Sequence, residues 1–182
     1  MTSPALQSPM ALGDTGLHFD DLPGADGRTY SSGSFPPGQA VVLVFVGTGC
    51  PTVRYYRDRL AAMQERYGAD GVQIVAVNAN NPHLSPMDSL EEMRRRHTES
   101  PWPFPYLKDG RADLARRCGA ICTPHAFLFD GDRRLRYRGR IDDSRTGRRV
   151  EHHDLEQAIE DVLAGRSVRV PATEPFGCAI VW

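Results

Sequence analysis

Hydrophobic positions along this chain fall into runs with two different periods. Val41-Val42-Leu43-Val44-Phe45-Val46 is apolar at every position and rich in β-branched residues, the pattern of a central strand covered on both faces. Val53, Tyr56, Leu60, Met63 and Tyr67 then recur at steps of three and four, which predicts one helix whose apolar stripe faces a core and which ends at Gly68. Val72–Val77 is a second buried-looking strand, and Asp88-Ser89-Leu90-Glu91 resembles a capping box opening a helix through His97. A proline-broken stretch, Pro101 to Pro105, leads to Tyr106-Leu107, and a short helix is expected from about Arg111 to Arg117.

His125–Phe129 and Arg134–Arg138 read as two strands hinged at Asp130-Gly131, and a final helix covers about Asp154–Leu163. Upstream, Leu17–Leu22 and Gly27–Ser32 read as a hairpin. The order is a hairpin, then βαβα, then ββα, which predicts an α/β domain with a central mixed sheet flanked by helices. We divide the chain into a flexible lead-in (1–12), a domain (13–165) and an extended tail (166–182) that packs on the domain.

The chain has 182 residues, a formal net charge of -1 and 40% hydrophobic residues, values that fit one globular domain and exclude a mainly disordered chain. Near-neutral charge leaves no electrostatic case for nucleic-acid or membrane-surface binding. Lys108 is the single lysine, and the other basic residues are arginine. Met1 to Gly13 has neither the basic nor the long apolar region of a secretory signal, so a cytoplasmic location is expected, where cysteines are normally reduced.

Four cysteines, Cys50, Cys118, Cys122 and Cys178, are too few for a disulfide scaffold. Cys50 follows Gly47-Thr48-Gly49 and precedes Pro51, a residue welcome in the first helical turn. It therefore stands at a helix N-terminus, where unpaired N–H groups and the positive end of the helix dipole favour thiolate. Between a packed core residue and a reactive thiol, that placement favours the reactive one. Cys122-Thr123-Pro124 precedes a strand, and a proline there can be a cis bond. Cys118 follows Leu114 at helical spacing and is expected in the core. In the tail, Phe176, Ile180 and Trp182 would pack over an apolar face with Cys178 filling space; the other reading presents Cys178 as a resolving thiol or ligand. His152-His153, Arg94-Arg95-Arg96 and Arg133-Arg134 read as solvated segments.

These features resemble the thioredoxin fold and, more closely, the redoxins related to the AhpC/TSA peroxiredoxins, in their peroxiredoxin-like subgroup. The resemblance runs through Cys50-Pro51, Asp88-Ser89 with Met93, Phe104–Leu107, Thr123-Pro124, Leu128–Asp130, Tyr137–Asp143 and the tail Gly177–Trp182. It implies a thioredoxin-like fold, a cis Pro124, and a loop at Thr123-Pro124 that lies against the active-site helix. Cys122 then becomes a neighbour of Cys50, and a Cys50–Cys122 disulfide is conceivable. Two departures stand out. Val53 occupies the place of the second thiol of Cys-x-x-Cys, and Gly47 and Leu43 stand where Pro-x-x-x-(Thr/Ser)-x-x-Cys requires hydroxyl and proline.

The leading expectation is a thiol-dependent redox protein, an oxidoreductase or atypical peroxiredoxin-like antioxidant, needing no cofactor. Cys50 would be the attacking thiolate, Thr123 and Pro124 would position the partner, and Cys122, with Cys178 as an alternative, would resolve the mixed disulfide. A thiol such as thioredoxin or glutathione would serve as reductant, and an oligomer is compatible with the sequence. Two other readings stay open. One is a copper- or zinc-binding module using Cys50, Cys122 and His125; the other is a thioredoxin fold recruited to a non-redox biosynthetic role.

Overall fold

The computed structural model describes residues 8–182. Among the described residues there are nine strands and four α-helices: β1 (Leu22–Pro23), β2 (Thr29–Tyr30), β3 (Ala40–Phe45), α1 (Pro51–Tyr67), β4 (Val72–Asn78), α2 (Leu90–Glu99), β5 (Tyr106–Lys108), α3 (Asp113–Cys118), β6 (Cys122–Thr123), β7 (His125–Phe129), β8 (Leu135–Gly139), α4 (Asp154–Leu163) and β9 (Cys178–Ala179). The main sheet has five strands in the order β5-β4-β3-β7-β8. β3 pairs in parallel with β4, and β4 with β5, whereas β7 is antiparallel to both β3 and β8. The mixed α/β sheet expected from the sequence is therefore present.

All six residues of β3 are buried, as an all-apolar central strand demands. Its alternating side chains divide between two cores. Val42 and Val44 join Tyr56, Leu60 and Met63 of α1 and Leu155 and Ile159 of α4 on one face. Val41, Leu43 and Phe45 meet Leu114 and Cys118 of α3 on the other. The stripe predicted for α1 is buried at all five positions.

The largest departure lies upstream. Strands expected over Leu17–Leu22 and Gly27–Ser32 shrink to the two-residue pieces β1 and β2. Leu17 and Phe19 instead turn inward as side chains of the second core. The N-cap of α2 is Ser89, whose hydroxyl accepts from the Glu92 N–H at 3.3 Å, so Asp88 is released for another task. Arg133, read as solvated, folds back and donates to the carbonyls of Gln39, Phe35 and Pro36. The tail adds one element that its composition concealed: β9 pairs antiparallel with β6, placing Thr123 opposite Cys178 and Cys122 opposite Ala179.

Candidate functional site

The C-terminal end of β3, the start of α1, the β6 loop and β9 meet at one place. Cys50 is the N-cap residue of α1 and Pro51 opens the helix, as the sequence predicted. The loop before it is clamped by a buried polar network. Thr48 donates its N–H to Asp88 at 2.7 Å and shares a hydrogen bond with the Tyr106 hydroxyl at 2.9 Å. Asp88 also accepts from Asn78 at 2.6 Å, Asn80 at 3.0 Å and Ser85 at 2.5 Å. Behind these, Lys108 donates to the Asn78 side chain at 3.1 Å and to the Asn80 carbonyl at 2.6 Å. Burial lowers Lys108 to about 8, against the attraction of Asp88 and Asp109. Burial would raise the Asp88 carboxyl, but its donors outweigh that and hold it below the ordinary range.

Asn80 connects this network to the tail. Its side-chain oxygen accepts from the Val181 N–H at 3.0 Å, and the next residue, Asn81, donates its N–H to the Val181 carbonyl at 2.7 Å. Ile180 is buried in the second core and Phe176 packs against the first, so the expected packing of the tail occurs at those two positions. Trp182 stays exposed, with the Arg116 guanidinium 4.8 Å from its ring centroid.

The decisive contact is between sulfurs. Cys50 Sγ lies 2.7 Å from Cys178 Sγ and 3.2 Å from the Thr123 carbonyl, to which the protonated thiol donates. The Thr123–Pro124 peptide bond is cis, as the resemblance implied. Cys122, adjacent to Thr123, is near but turned aside: its thiol faces the Pro124 carbonyl at 3.7 Å. The reason is the alternation of side chains along a strand. Thr123 and its cross-strand partner Cys178 point toward Cys50, so Cys122 and Ala179 point away. The pairing conceived between Cys50 and Cys122 thus gives way to a Cys50–Cys178 contact. His125 is likewise committed elsewhere, its Nδ1 accepting from the Ile121 N–H at 3.4 Å. Among the described residues no three His, Cys, Asp or Glu side chains form a group that could hold a metal ion, and Cys50, Cys122 and His125 do not converge.

The two touching sulfurs are electrically unlike. Burial works against ionising Cys50, but the Cys178 thiol, the nearby Thr123 hydroxyl and the Val53 and Cys178 N–H groups outweigh it and depress its pKa. The Thr123 hydroxyl is buried without a hydrogen-bond partner in the resting geometry, so it is free to turn to the sulfur. Cys178 moves the other way, to about 11, through burial and then through its bond to Cys50 and the charge there. Cys122 rises to about 11, through burial first and then the Cys50 charge. Cys118, expected in the core, is fully buried and rises to about 12.

Gly177 explains how the tail comes so close. A Cβ on this residue would stand 2.0 Å from the Thr123 carbonyl oxygen and 2.6 Å from its carbon. Only glycine lets β9 lie against the loop that carries Thr123. A cleft of about 300 Å3 opens onto Cys50, with Thr48, Val53, Arg54, Arg57, Trp102 and Tyr106 among its walls.

The sequence reading missed Asp88, Asn78, Asn80 and Tyr106 as supports of the site. One signal was available: Asn78 and Lys108 stand at the ends of mostly apolar strands, where buried polar groups need partners.

Comparison with known proteins agrees with this architecture. The Redoxin family matches residues 5–159. A crystal structure of a hypothetical protein from Sinorhizobium meliloti 1021 superposes with a TM-score of 0.86 at 35% identity, covering 95% of each chain. A putative thiol:disulfide interchange protein DsbE from Chlorobium tepidum shares the fold, with a TM-score of 0.64 at 24% identity over 85% of this chain and 99% of that one. The thiol:disulfide interchange protein DsbE of Escherichia coli K12 is 28% identical over 112 residues, 62% of this chain and 55% of that protein. The chain thus spans about half the length of the curated relatives it matches. With a thioredoxin-like fold and thiol:disulfide oxidoreductases among its neighbours, the chain belongs to the redoxin family.

Proposed function

We propose that this protein is a thiol–disulfide oxidoreductase whose redox pair is Cys50 and Cys178. The observation that carries this reading is the 2.7 Å approach of two sulfurs with oppositely shifted acidities at a helix N-terminus. Cys50, the more acidic thiol, attacks one sulfur of a disulfide substrate. A Cys50–substrate mixed disulfide forms, and the other half of the substrate leaves as thiolate. Cys178 then attacks the Cys50 sulfur, the second half leaves, and an internal Cys50–Cys178 disulfide remains. Two electrons have passed to the substrate, and an external dithiol or thiol returns the pair to its reduced state.

The high pKa of Cys178 suits this order. Part of it comes from the hydrogen bond to Cys50 and the charge there, and both vanish once Cys50 is tied up in the mixed disulfide. The resolving thiol is therefore held protonated until it is needed. β9 supplies the second sulfur that Val53 cannot, so a Cys-x-x-Cys motif is replaced by two thiols 128 residues apart.

Peptide mapping after mild oxidation by a diazene oxidant tests the reading. The expected product is a Cys50–Cys178 cross-linked peptide, and in Cys178→Ser treated with a small disulfide in place of the diazene, a mixed disulfide with half of that reagent should accumulate on Cys50. A Cys50–Cys122 link, or a Cys178 that stays reduced and unlinked under the diazene, would overturn it.

A further inference from the structure

Disulfide exchange needs a sulfur and access to it, yet the cleft beside Cys50 carries more than that. Cys50, Arg54 and Arg57 are spaced as i, i+4 and i+7, so they share one face of the α1 N-terminal half, and all three line the cleft. The Arg57 guanidinium lies 4.3 Å from the Trp102 ring centroid and donates to the Ser100 carbonyl, which fixes its position. Arg54 is exposed. Other arginines nearby are matched by carboxylates: Arg95 by Glu92 and Glu99, Arg96 by Glu92, and Arg59 by Asp142. Arg54 and Arg57 have no such ion pair among the described residues. Among the described residues the cleft wall carries one acid, Glu99, which is already engaged by Arg95 at 2.5 Å. The wall that presents the nucleophile therefore also presents two guanidinium groups that no carboxylate pairs directly, beside an indole face; Asp58 acts on Arg57 only at longer range.

Guanidinium groups pair well with carboxylates, and their forked donors fix orientation as well as charge. A space of about 300 Å3 is at the small end of ligand pockets, fitting a small organic molecule rather than the folded flank of a protein disulfide. We propose, resting on the exchange reading above, that the substrate is a small disulfide bearing carboxylates. Arg54 and Arg57 hold the half that becomes joined to Cys50, and its carbon skeleton lies on Trp102. Cys50 forms the new S–S bond with that half while the other leaves as thiolate; Cys178 then displaces the bound half as thiolate.

The test compares two small disulfides of opposite charge, glutathione disulfide and cystamine, on the fully reduced protein. Oxidation of Cys50 is followed by quenched mass spectrometry, each rate being normalised to that of the same disulfide with dithiothreitol. At low salt the acidic disulfide should react about tenfold faster, since local field raises encounter rates by that order. The preference should collapse in 1 M salt and invert in the double variant Arg54→Glu/Arg57→Glu. Arg54→Gln/Arg57→Gln, which places no acid beside Trp102, should bring the ratio to about one. A ratio near one in the native protein, or a preference that survives both variants, would overturn the assignment while leaving disulfide exchange intact. Failure of both disulfides to oxidise Cys50 would instead remove the exchange reading itself.

Discussion

Cys50 and Cys118 are the same side chain at opposite ends of two helices, and the contrast isolates what makes a thiol reactive. Both are buried, at 8% and 0% exposure, and in both, burial is the largest influence and disfavours the charge. Cys118 is the last residue of α3, on the far side of the sheet, and rises to about 12 because little offsets that cost: Arg117 lowers it and Asp109 raises it. Cys50 caps the N-terminus of α1, where the Val53 N–H, the Thr123 side chain and Cys178 all supply donors, and its pKa falls. Burial alone thus makes a cysteine inert. Burial with converging donors makes it acidic.

The sharpest way to break this contrast is to delete each sulfur. Cys50→Ser should bring disulfide exchange down to background, a loss on the order of a thousandfold or more, because no other thiol can open the reaction. Cys118→Ala should leave the exchange rate within about twofold and cost stability only through a small cavity. Stopped-flow exchange and denaturant unfolding measure the two outcomes. Equal losses of exchange in both variants would show that the sulfur's position does not matter.

Gly177→Ala tests how the donor set is assembled. Its methyl would collide with the Thr123 carbonyl, so β9 must shift. The expected cost is about 1–3 kcal/mol in urea unfolding, as for other overpacked sites. Alkylation of Cys50 at neutral pH should slow in parallel, because its Cys178 donor retreats. A variant with native stability and native alkylation would mean that β9 does not hold Cys178 on Cys50.

The smallest effect expected is a pH dependence at His125, the other buried group beside the loop. Burial, then the charge of Arg138, lowers its pKa to about 4. The unfolded chain, with an ordinary imidazole near 6.5, then binds more protons than the folded one between about pH 4 and 6.5. Stability should fall as pH drops through that window. In His125→Gln the fall should be shallower, whereas an unchanged profile would place the acid sensitivity elsewhere.

Much of the frame could be read along the chain because it depends on local spacing. The stripe from Val53 to Tyr67 and the apolar run at Val41–Val46 each specify an element and its buried face without reference to anything distant. The placement of Cys50 at a helix start is local too, since Pro51 and the preceding glycines mark it. The upstream segment forms less strand than its pattern predicts because Leu17 and Phe19 look like strand residues whether they pair or merely dip into a core. Asp88 was read as part of a cap; its neighbour Ser89 took that role, and the carboxylate reached across to Thr48 instead.

What the sequence alone determined is the fold class, the helix-start thiol and the absence of a second thiol three residues on. Which sulfur faces Cys50 was decided only in three dimensions. That choice depends on the register of β9 against β6, which sends Cys122 one way and Cys178 the other. No local pattern encodes such a register. It is set by a glycine that allows close approach, by Asn80 and Asn81 gripping Val181, and by Ile180 entering the second core. The Gly177 and Val181 contacts join residues 54 and 101 positions apart in the chain, and Ile180 meets core residues from the first half of the sequence, so only the packed sheet brings them together.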